Sequence, residues 1–254
     1  MTHISYSELK NWSVCPFYHK ITYIDKIKLF KGNEHTAFGN AVHDTCENML
    51  LNEQLKASEH FIEQYKKAFK KLADDGYDLN KKLTLEMKEQ GLKLLPHIKP
   101  ALKKYFGEYE VFSTEEKLFE DISFEDYKFK GYIDLVLKTK DGKYHVIDWK
   151  TTSWGWNHRK KSDKMVTYQL TYYKHFFAEK HGIEPENIET HFILLKRTAK
   201  KEIVEIFRTT SGKKKTENAL NFLQKALYNI NSKNYIKNRL SCNYCEFKKT
   251  KHCP

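Results

Sequence analysis

The segment Gly131–Lys150 constrains the fold most, because it predicts a β-hairpin that carries charged residues among apolar ones. Two runs rich in β-branched residues, at 132–138 and 144–149, flank the turn signal Asp141-Gly142. The neighbouring apolar residues are those of two buried strands. Charge placed so close to a core needs a partner or a function.

The positions of the charged side chains depend on the register of this hairpin. Side chains alternate along a strand, so Asp148 and Lys150 lie on the same face. A two-residue turn would pair Asp134 with Trp149 and place the two aspartates on opposite faces. A three-residue turn with Gly142 in the left-handed conformation would pair Asp134 with Asp148. Opposed carboxylates repel unless a cation lies between them. The pattern therefore favours a divalent-metal site with an ammonium beside it, and the alternative is a solvated strand face.

Hydrophobic periodicity elsewhere predicts an α/β (α+β) chain with a central mixed sheet flanked by helices. The predicted helices cover residues 5–15, 36–51, 56–107 with breaks, 165–181 and a C-terminal stretch from 216. Further strands are expected at 111–119, 188–196 and 202–208. The length of 254 residues is enough for one large buried core.

Three of the five cysteines lie close together near the end of the sequence, as Cys242-x2-Cys245-x7-Cys253. Reducing compartments do not favour structural disulfides, so this spacing predicts a metal or cluster site. Such a site needs a fourth ligand, and the candidates are Cys15 first, then Cys46 or His252. Four thiolates suit either zinc or a 4Fe-4S cluster.

The charge of the chain predicts a polyanionic partner. The net charge is +12, and only four of the 45 basic residues are arginines, which suits phosphate contact better than bidentate base reading. The segment TTSWGWNHRKKSD at 151–163 is basic and aromatic and follows the hairpin directly. Its candidate contacts to phosphates and bases are Trp154, Trp156, Arg159, Lys160 and Lys161.

The sequence offers no membrane anchor. No apolar run reaches the roughly 18 residues of a membrane span, and the polar start MTHISYSELK is not a signal peptide. We therefore expect a cytoplasmic protein in a bacterial or phage-infected cell, with no membrane partner.

Four motifs together resemble, in order and spacing, the RecB-like PD-(D/E)XK nuclease superfamily. They are Gly39-x3-His43, Gly131-x2-Asp134, Asp148-x-Lys150 and Gln169-x3-Tyr173. The cysteine pattern resembles the iron-sulfur branch, which includes CRISPR-associated exonucleases and AddB-type nuclease domains. Asp148 stands where many members of the CRISPR-associated group carry Glu. The resemblance implies a restriction-endonuclease-like core in a single nuclease domain at 1–254, with a helical insertion at 53–110. It also implies a region at 216–254 where the last helix and the cysteine cluster pack with the N-terminal helix.

The resemblance also implies roles for individual residues. The ligands of Mg²⁺ or Mn²⁺ would be His43, Asp134, Asp148 and the carbonyl of Trp149. Hard oxygen ligands suit Mg²⁺, and imidazole is compatible with Mn²⁺. Lys150 would orient or activate the water, and Gln169 and Tyr173 would brace the site or contact the DNA backbone. The 4Fe-4S cluster, with zinc as the alternative, would be carried by Cys15, Cys242, Cys245 and Cys253.

We therefore expect a metal-dependent DNA nuclease, an exonuclease acting on single strands or duplex ends in recombination, repair or phage DNA processing. A protein partner in a recombination complex is compatible with that role. The chief alternative is a non-catalytic DNA-binding or adaptor subunit with the same fold, against which the intact set of Asp134, Asp148 and Lys150 argues. A zinc-bearing RNA-binding protein would explain the cysteines and the charge but not the carboxylates.

Overall fold

A six-stranded mixed sheet forms the centre of the computed structural model, which describes residues 2–254. The strands are β1 (His3–Ser5), β2 (Tyr109–Asp121), β3 (Lys128–Thr139), β4 (Tyr144–Thr152), β5 (Ile188–Lys196) and β6 (Val204–Thr209). β3 pairs antiparallel with β4, β4 pairs parallel with β5, and β5 pairs antiparallel with β6. β1 pairs parallel with the start of β3, and β2 also pairs with β3.

Helices flank this sheet, as the periodicity predicts. They are α1 (Tyr6–Val14), α2 (Pro16–His19), α3 (Glu34–Leu51), α4 (Ala57–Asp74), α5 (Lys81–Leu94), α6 (Ile98–Phe106), α7 (His158–Ser162), α8 (Lys164–His181) and α9 (Lys213–Asn231). The mixed α/β architecture expected from the sequence is thereby confirmed. In the part of the chain that the structure describes, no helix combines the length and apolar character that a bilayer crossing needs.

Local chemistry sets the limits of the two helices that matter most for the site. α3 begins with a capping box: the Asn33 side chain accepts from the Thr36 N–H at 3.0 Å, and Thr36 Oγ1 accepts from the Asn33 N–H at 2.8 Å. α8 begins where Asp163 accepts from the first free N–H groups of the helix. It ends at Gly182, whose left-handed conformation, with φ +63°, terminates the helix without steric strain.

The turn between β3 and β4 is the three-residue form. Gly142 supplies the positive φ of +81° that this turn requires. Leu135 lies opposite Ile147 in the ladder, so the next pair toward the start of β3 is Asp134 and Asp148. The two aspartates therefore lie on the same face of the sheet.

The chain divides into two compact units. The first comprises Met1–Lys31, Lys117–Gly131 and Gly212–Pro254, and the second comprises Gly32–Glu116 and Tyr132–Ser211. In the first unit α1 packs on α9, with the rings of Trp12 and Phe222 5.7 Å apart. In the second unit α3 to α6 cover the sheet face that presents Ile147, Trp149 and Ile193, while α8 packs on β4 and β5. Strand alternation turns Asp148 toward the side of α8.

Candidate active site

A histidine and two carboxylates from α3 and β3 converge in the second unit. His43, Glu47 and Asp134 each place one ligand atom within 4.8 Å of the others. His43 Nδ1 lies 3.8 Å from Asp134 Oδ2. The backbone N–H of Trp149 donates to that same Asp134 oxygen at 2.7 Å, so β4 fixes the orientation of the β3 carboxylate. His43 and Glu47 lie one helical turn apart and therefore face the same direction.

A glycine one turn before His43 allows α3 to lie close to β4. A Cβ atom at Gly39 would be only 3.2 Å from Thr151 Oγ1, tighter than an ordinary contact. This explains the glycine of the Gly39-x3-His43 motif as a requirement of packing. The helix and the strand enclose a cavity of about 530 Å³ whose lining includes Gly39, His43, Lys150, Thr151 and Arg197.

Asp148 is held from two sides. Its side chain is only 2% exposed, and Lys150 Nζ lies 2.5 Å from its Oδ2. Gln169 Nε2, from α8, donates to Asp148 Oδ1 at 2.6 Å. Gln169 also lies 3.4 Å from the hydroxyl of the buried Tyr173, one turn further along α8. The structure therefore brings Gln169 and Tyr173 beside the catalytic candidates: Gln169 contacts Asp148 directly, and Tyr173 contacts Gln169.

The electrostatics of the site favour a cation. Burial raises the pKa of Asp134 to about 6 against the attraction of Lys150, and it raises the pKa of Asp148 to about 6 as well. Burial, together with repulsion from Glu115 and Asp134, raises the pKa of Glu47 to about 9. Desolvation and the nearby charge of Lys150 lower the pKa of His43 to about 4, so the imidazole is neutral at pH 7.

The donor set fits a divalent metal. Glu47 Oε1 is buried and has no hydrogen-bond partner among the described residues, which leaves a lone pair available for a ligand. Carboxylate oxygens with one neutral imidazole are the donors that Mg²⁺ and especially Mn²⁺ accept. His43, Glu47 and Asp134 have ligand atoms close enough together to hold such an ion, and the charge of Asp148 acts on both Asp134 and His43 from nearby.

Two members of this cluster are not among the site residues expected from the sequence. Glu47 follows His43 by four residues, a spacing that the sequence displays but that does not reveal burial. Glu115 raises the pKa of Glu47, and it adopts a positive φ of +48° that nothing in the sequence indicates. Glu116, its neighbour, is instead paired with Lys180 and His181 on α8.

Only some of the candidate nucleic-acid contacts in the basic aromatic segment at 151–163 are exposed to solvent. Trp154 is 69% exposed, and Arg159 and Lys160 are also exposed. Trp156 packs against Phe192 with 5.2 Å between the ring centroids, and Lys160 Nζ lies 4.5 Å from the centroid of the Trp156 ring. Lys161 forms an ion pair with Glu205 on β6. Trp156 and Lys161 thus anchor the segment, and Trp154 and Arg159 extend from it.

The four cysteines of the expected cluster line one cavity in the first unit. This cavity measures about 390 Å³ and includes Cys15, Cys242, Cys245 and Cys253 in its lining. All four are free thiols. The Asn238 backbone N–H donates to Cys15 Sγ at 3.4 Å. The other candidate cysteine, Cys46, is fully buried in the hydrophobic core of the second unit, and burial raises the pKa of its thiol.

Comparison of the sequence with models of known protein families identifies the family of this chain. The family model of the PD-(D/E)XK nuclease superfamily matches residues 3–250. The chain belongs to the PD-(D/E)XK nuclease superfamily, which confirms the resemblance found in the motifs. It is therefore a nuclease of the class that generally uses divalent metals.

One solved structure shares the fold, and a second aligns more weakly. A crystal structure described as a "Putative exonuclease" from Eubacterium rectale aligns with a TM-score of 0.62 at 14% identity, over 96% of this chain and 86% of that one. A second structure, SSO0001, aligns with a TM-score of 0.39 at 16% identity, over 82% of this chain and 92% of that one. No curated protein matches the sequence.

Proposed function

We propose that this protein is an Mg²⁺- or Mn²⁺-dependent exodeoxyribonuclease that hydrolyses phosphodiesters at DNA ends or in single strands. The observation that supports this most is the convergence of His43, Glu47 and Asp134, with the buried Asp148 close enough for its charge to interact with Asp134. Burial raises the pKa of all three carboxyl groups. Concentrated negative charge of this kind is costly unless a cation binds, and a divalent ion is the partner that hydrolytic nuclease chemistry uses.

Each residue of the site has a distinct task in this proposal. A bound divalent ion would polarise the phosphate and supply hydroxide as the nucleophile. His43, Glu47, Asp134 and Asp148 would hold the ion, with the carbonyl of Trp149 as a further ligand. Lys150, oriented by its contact with Asp148, would stabilise the charge that develops on the attacked phosphate. Gln169 would keep Asp148 in place while Lys150 contacts the substrate.

DNA is the proposed substrate because the chain is strongly basic and its exposed aromatic and cationic residues follow β4 directly. Trp154 is suited to stack on a base, and Arg159 and Lys160 are suited to contact phosphates. Replacing Arg159 and Lys160 by glutamine should weaken DNA binding and reduce the salt slope of log K by about one per lost phosphate contact. Unchanged salt dependence would remove this segment from the DNA path.

The four-cysteine cavity is proposed to hold a 4Fe-4S cluster. Four thiols line one cavity of about 390 Å³, and a backbone N–H donates to the Cys15 sulfur. Hydrogen bonds of this type are common around cluster sulfurs. We further propose that the protein acts in the cytoplasm, in recombination, repair or phage DNA processing, alone or with a protein partner.

The test is an assay of the purified full chain on matched substrates. Linear single-stranded DNA, linear duplex DNA labelled at either end, and closed single-stranded circles are incubated with EDTA, Mg²⁺ or Mn²⁺. We expect metal-dependent loss of the linear strands, intact circles, and no cleavage by Asp148→Asn. Cut circles would contradict the exonuclease assignment, and binding without cleavage of any DNA would favour an adaptor subunit. Cleavage of RNA alone would contradict the DNA substrate.

A further inference from the structure

A second group of metal-ligand side chains lies at the beginning of β4 and β5 and shares no residue with the candidate active site. His145 is the register partner of Glu189, and His191 lies two residues further along β5. All three side chains therefore lie on one face of the sheet. His145 and His191 are 7% and 1% exposed.

Three donor atoms of this group surround one point. His145 Nδ1 lies 3.1 Å from His191 Nε2, and Glu189 Oε2 lies 3.8 Å and 3.7 Å from these two nitrogens. In a tetrahedral zinc site with bonds of about 2.05 Å, neighbouring ligand atoms are about 3.3 Å apart. The observed triangle has nearly that size. Its two longer sides exceed a hydrogen bond, so Glu189 Oε2 approaches both rings without bonding to either.

The hydrogen bonds around His145 leave its Nδ1 lone pair directed into the triangle, where without a metal it accepts from His191 Nε2–H at 3.1 Å. Thr139 Oγ1 donates its single proton to Asp141 Oδ1 at 2.5 Å or to the Lys143 carbonyl at 3.3 Å. It must therefore accept from His145 Nε2–H, which lies 3.0 Å away. A histidine that donates one ring N–H to a neighbouring oxygen is fixed in the tautomer that binds metal through the other nitrogen.

The two carboxylate oxygens of Glu189 have different neighbours. Lys143 Nζ and an Arg208 guanidinium nitrogen approach Oε1 at 3.4 and 3.3 Å, which leaves Oε2 for the triangle. Because these cations already balance the carboxylate, charge alone would not attract a hard ion such as Mg²⁺. Imidazole nitrogens must supply the affinity, and they select zinc and its neighbours in the transition series.

The surroundings keep the two histidines neutral and leave one coordination position open. The Phe106 ring packs 4.9 Å from His145 and 5.1 Å from His191, between ring centroids. Burial lowers the pKa of both histidines, that of His191 to about 3, so the imidazoles are unprotonated at neutral pH. A cavity of about 430 Å³ borders the triangle, with room for a water molecule as a fourth ligand.

We propose that His145, Glu189 and His191 form a second metal site, selective for Zn²⁺ or a related transition-metal ion over Mg²⁺. The ion joins the starts of β4 and β5, two strands that are separated by α8 in sequence. The proposal is independent of the nuclease assignment, because it rests on a different set of residues.

The experiment measures bound zinc per chain in the full-length protein after dialysis against EDTA and then against Zn²⁺ alone. The double variant His145→Gln/His191→Gln should bind one equivalent less than the wild type. Glu189→Gln, which preserves the shape of the side chain, should weaken that equivalent at least 10-fold. Circular dichroism verifies folding, and Glu189→Gln decides the question if the double variant does not fold.

Two controls separate this ion from those at other sites. His175→Gln removes a histidine that pairs with Glu179 at 3.4 Å on α8, and it should keep the full zinc content. Asp134→Asn/Asp148→Asn removes the active-site carboxylates and should retain the equivalent that the histidine variant loses. Zinc content and affinity equal to the wild type in the folded double variant would overturn the proposal, and so would the same result in Glu189→Gln if the double variant does not fold.

Discussion

Replacing Glu47 by glutamine should stabilise the metal-free protein at neutral and alkaline pH. The pKa of Glu47 is raised from 4.5 to about 9 by burial and by the neighbouring carboxylates. A carboxyl group whose pKa is higher in the folded state stabilises the fold fully below pH 4.5, and that contribution disappears as the pH rises toward 9. A pH of 7.5 lies about three units above the unfolded pKa of 4.5. At 1.36 kcal/mol per unit, the free energy of unfolding at this pH is therefore lower by up to about 4 kcal/mol.

The assay is urea denaturation at several pH values between 5 and 8, first in EDTA and then with saturating Mn²⁺. In EDTA, Glu47→Gln should be the more stable protein at pH 7.5 by up to about 4 kcal/mol, and the difference should narrow toward pH 5. Mn²⁺ should stabilise the wild type more than the variant, because the ionised carboxylate binds the ion.

A matched control is Glu116 on β2, whose pKa is shifted in the opposite direction to that of Glu47. Burial of Glu116 is outweighed by hydrogen bonds from Lys180 and His181, so the pKa of Glu116 is lowered. Glu116→Gln should therefore be less stable than the wild type at neutral pH. If wild type and Glu47→Gln show parallel stability curves in EDTA from pH 5 to 8, the reasoning about Glu47 is refuted.

Three further predictions concern Lys150, which is the proposed catalytic lysine, the cysteines and the helical core. Lys150→Ala should lower metal-dependent cleavage by at least ~100-fold while DNA binding stays within a few-fold, measured by single-turnover kinetics and filter binding; equal losses in both would contradict a catalytic role. Anaerobically purified wild type should be brown, and Cys15→Ser should lose the colour while Cys46→Ser keeps it; colourless wild type containing zinc would favour the other thiolate site. Gly91→Ala should destabilise the protein by about 1 to 3 kcal/mol, because the new Cβ would overlap the Phe61 ring; a variant more stable than the wild type, as helix propensity alone predicts, would contradict this packing.

Local chemistry was sufficient to predict much of the fold. The turn signal Asp141-Gly142 predicted the hairpin but left a two-residue and a three-residue turn open. The structure has the three-residue form, with Gly142 at positive φ, and this register pairs Asp134 with Asp148. Periodicity predicted a helix at 36–51, and the observed α3 begins two residues earlier because Asn33 caps it. These features depend on neighbours within a few residues, which is the range over which sequence patterns act.

Features that depend on contacts between distant parts of the chain could not be predicted from the sequence. Glu47 has the right spacing from His43, but only tertiary packing shows that it is buried beside Glu115. The triangle of His145, Glu189 and His191 requires parallel pairing of β4 with β5, and α8 lies between those strands in the sequence. Periodicity within a strand cannot specify which other strand will lie beside it.

The central claim, that the carboxylates of α3, β3 and β4 bind a catalytic divalent metal, is tested most directly by crystallography of the wild type soaked in Mn²⁺. Anomalous scattering locates manganese without assuming its ligands. The account predicts an ion bonded to Asp134 and Asp148 and to at least one of His43 and Glu47. Manganese absent from this site under conditions that support cleavage, or bound there without either aspartate, would contradict the account.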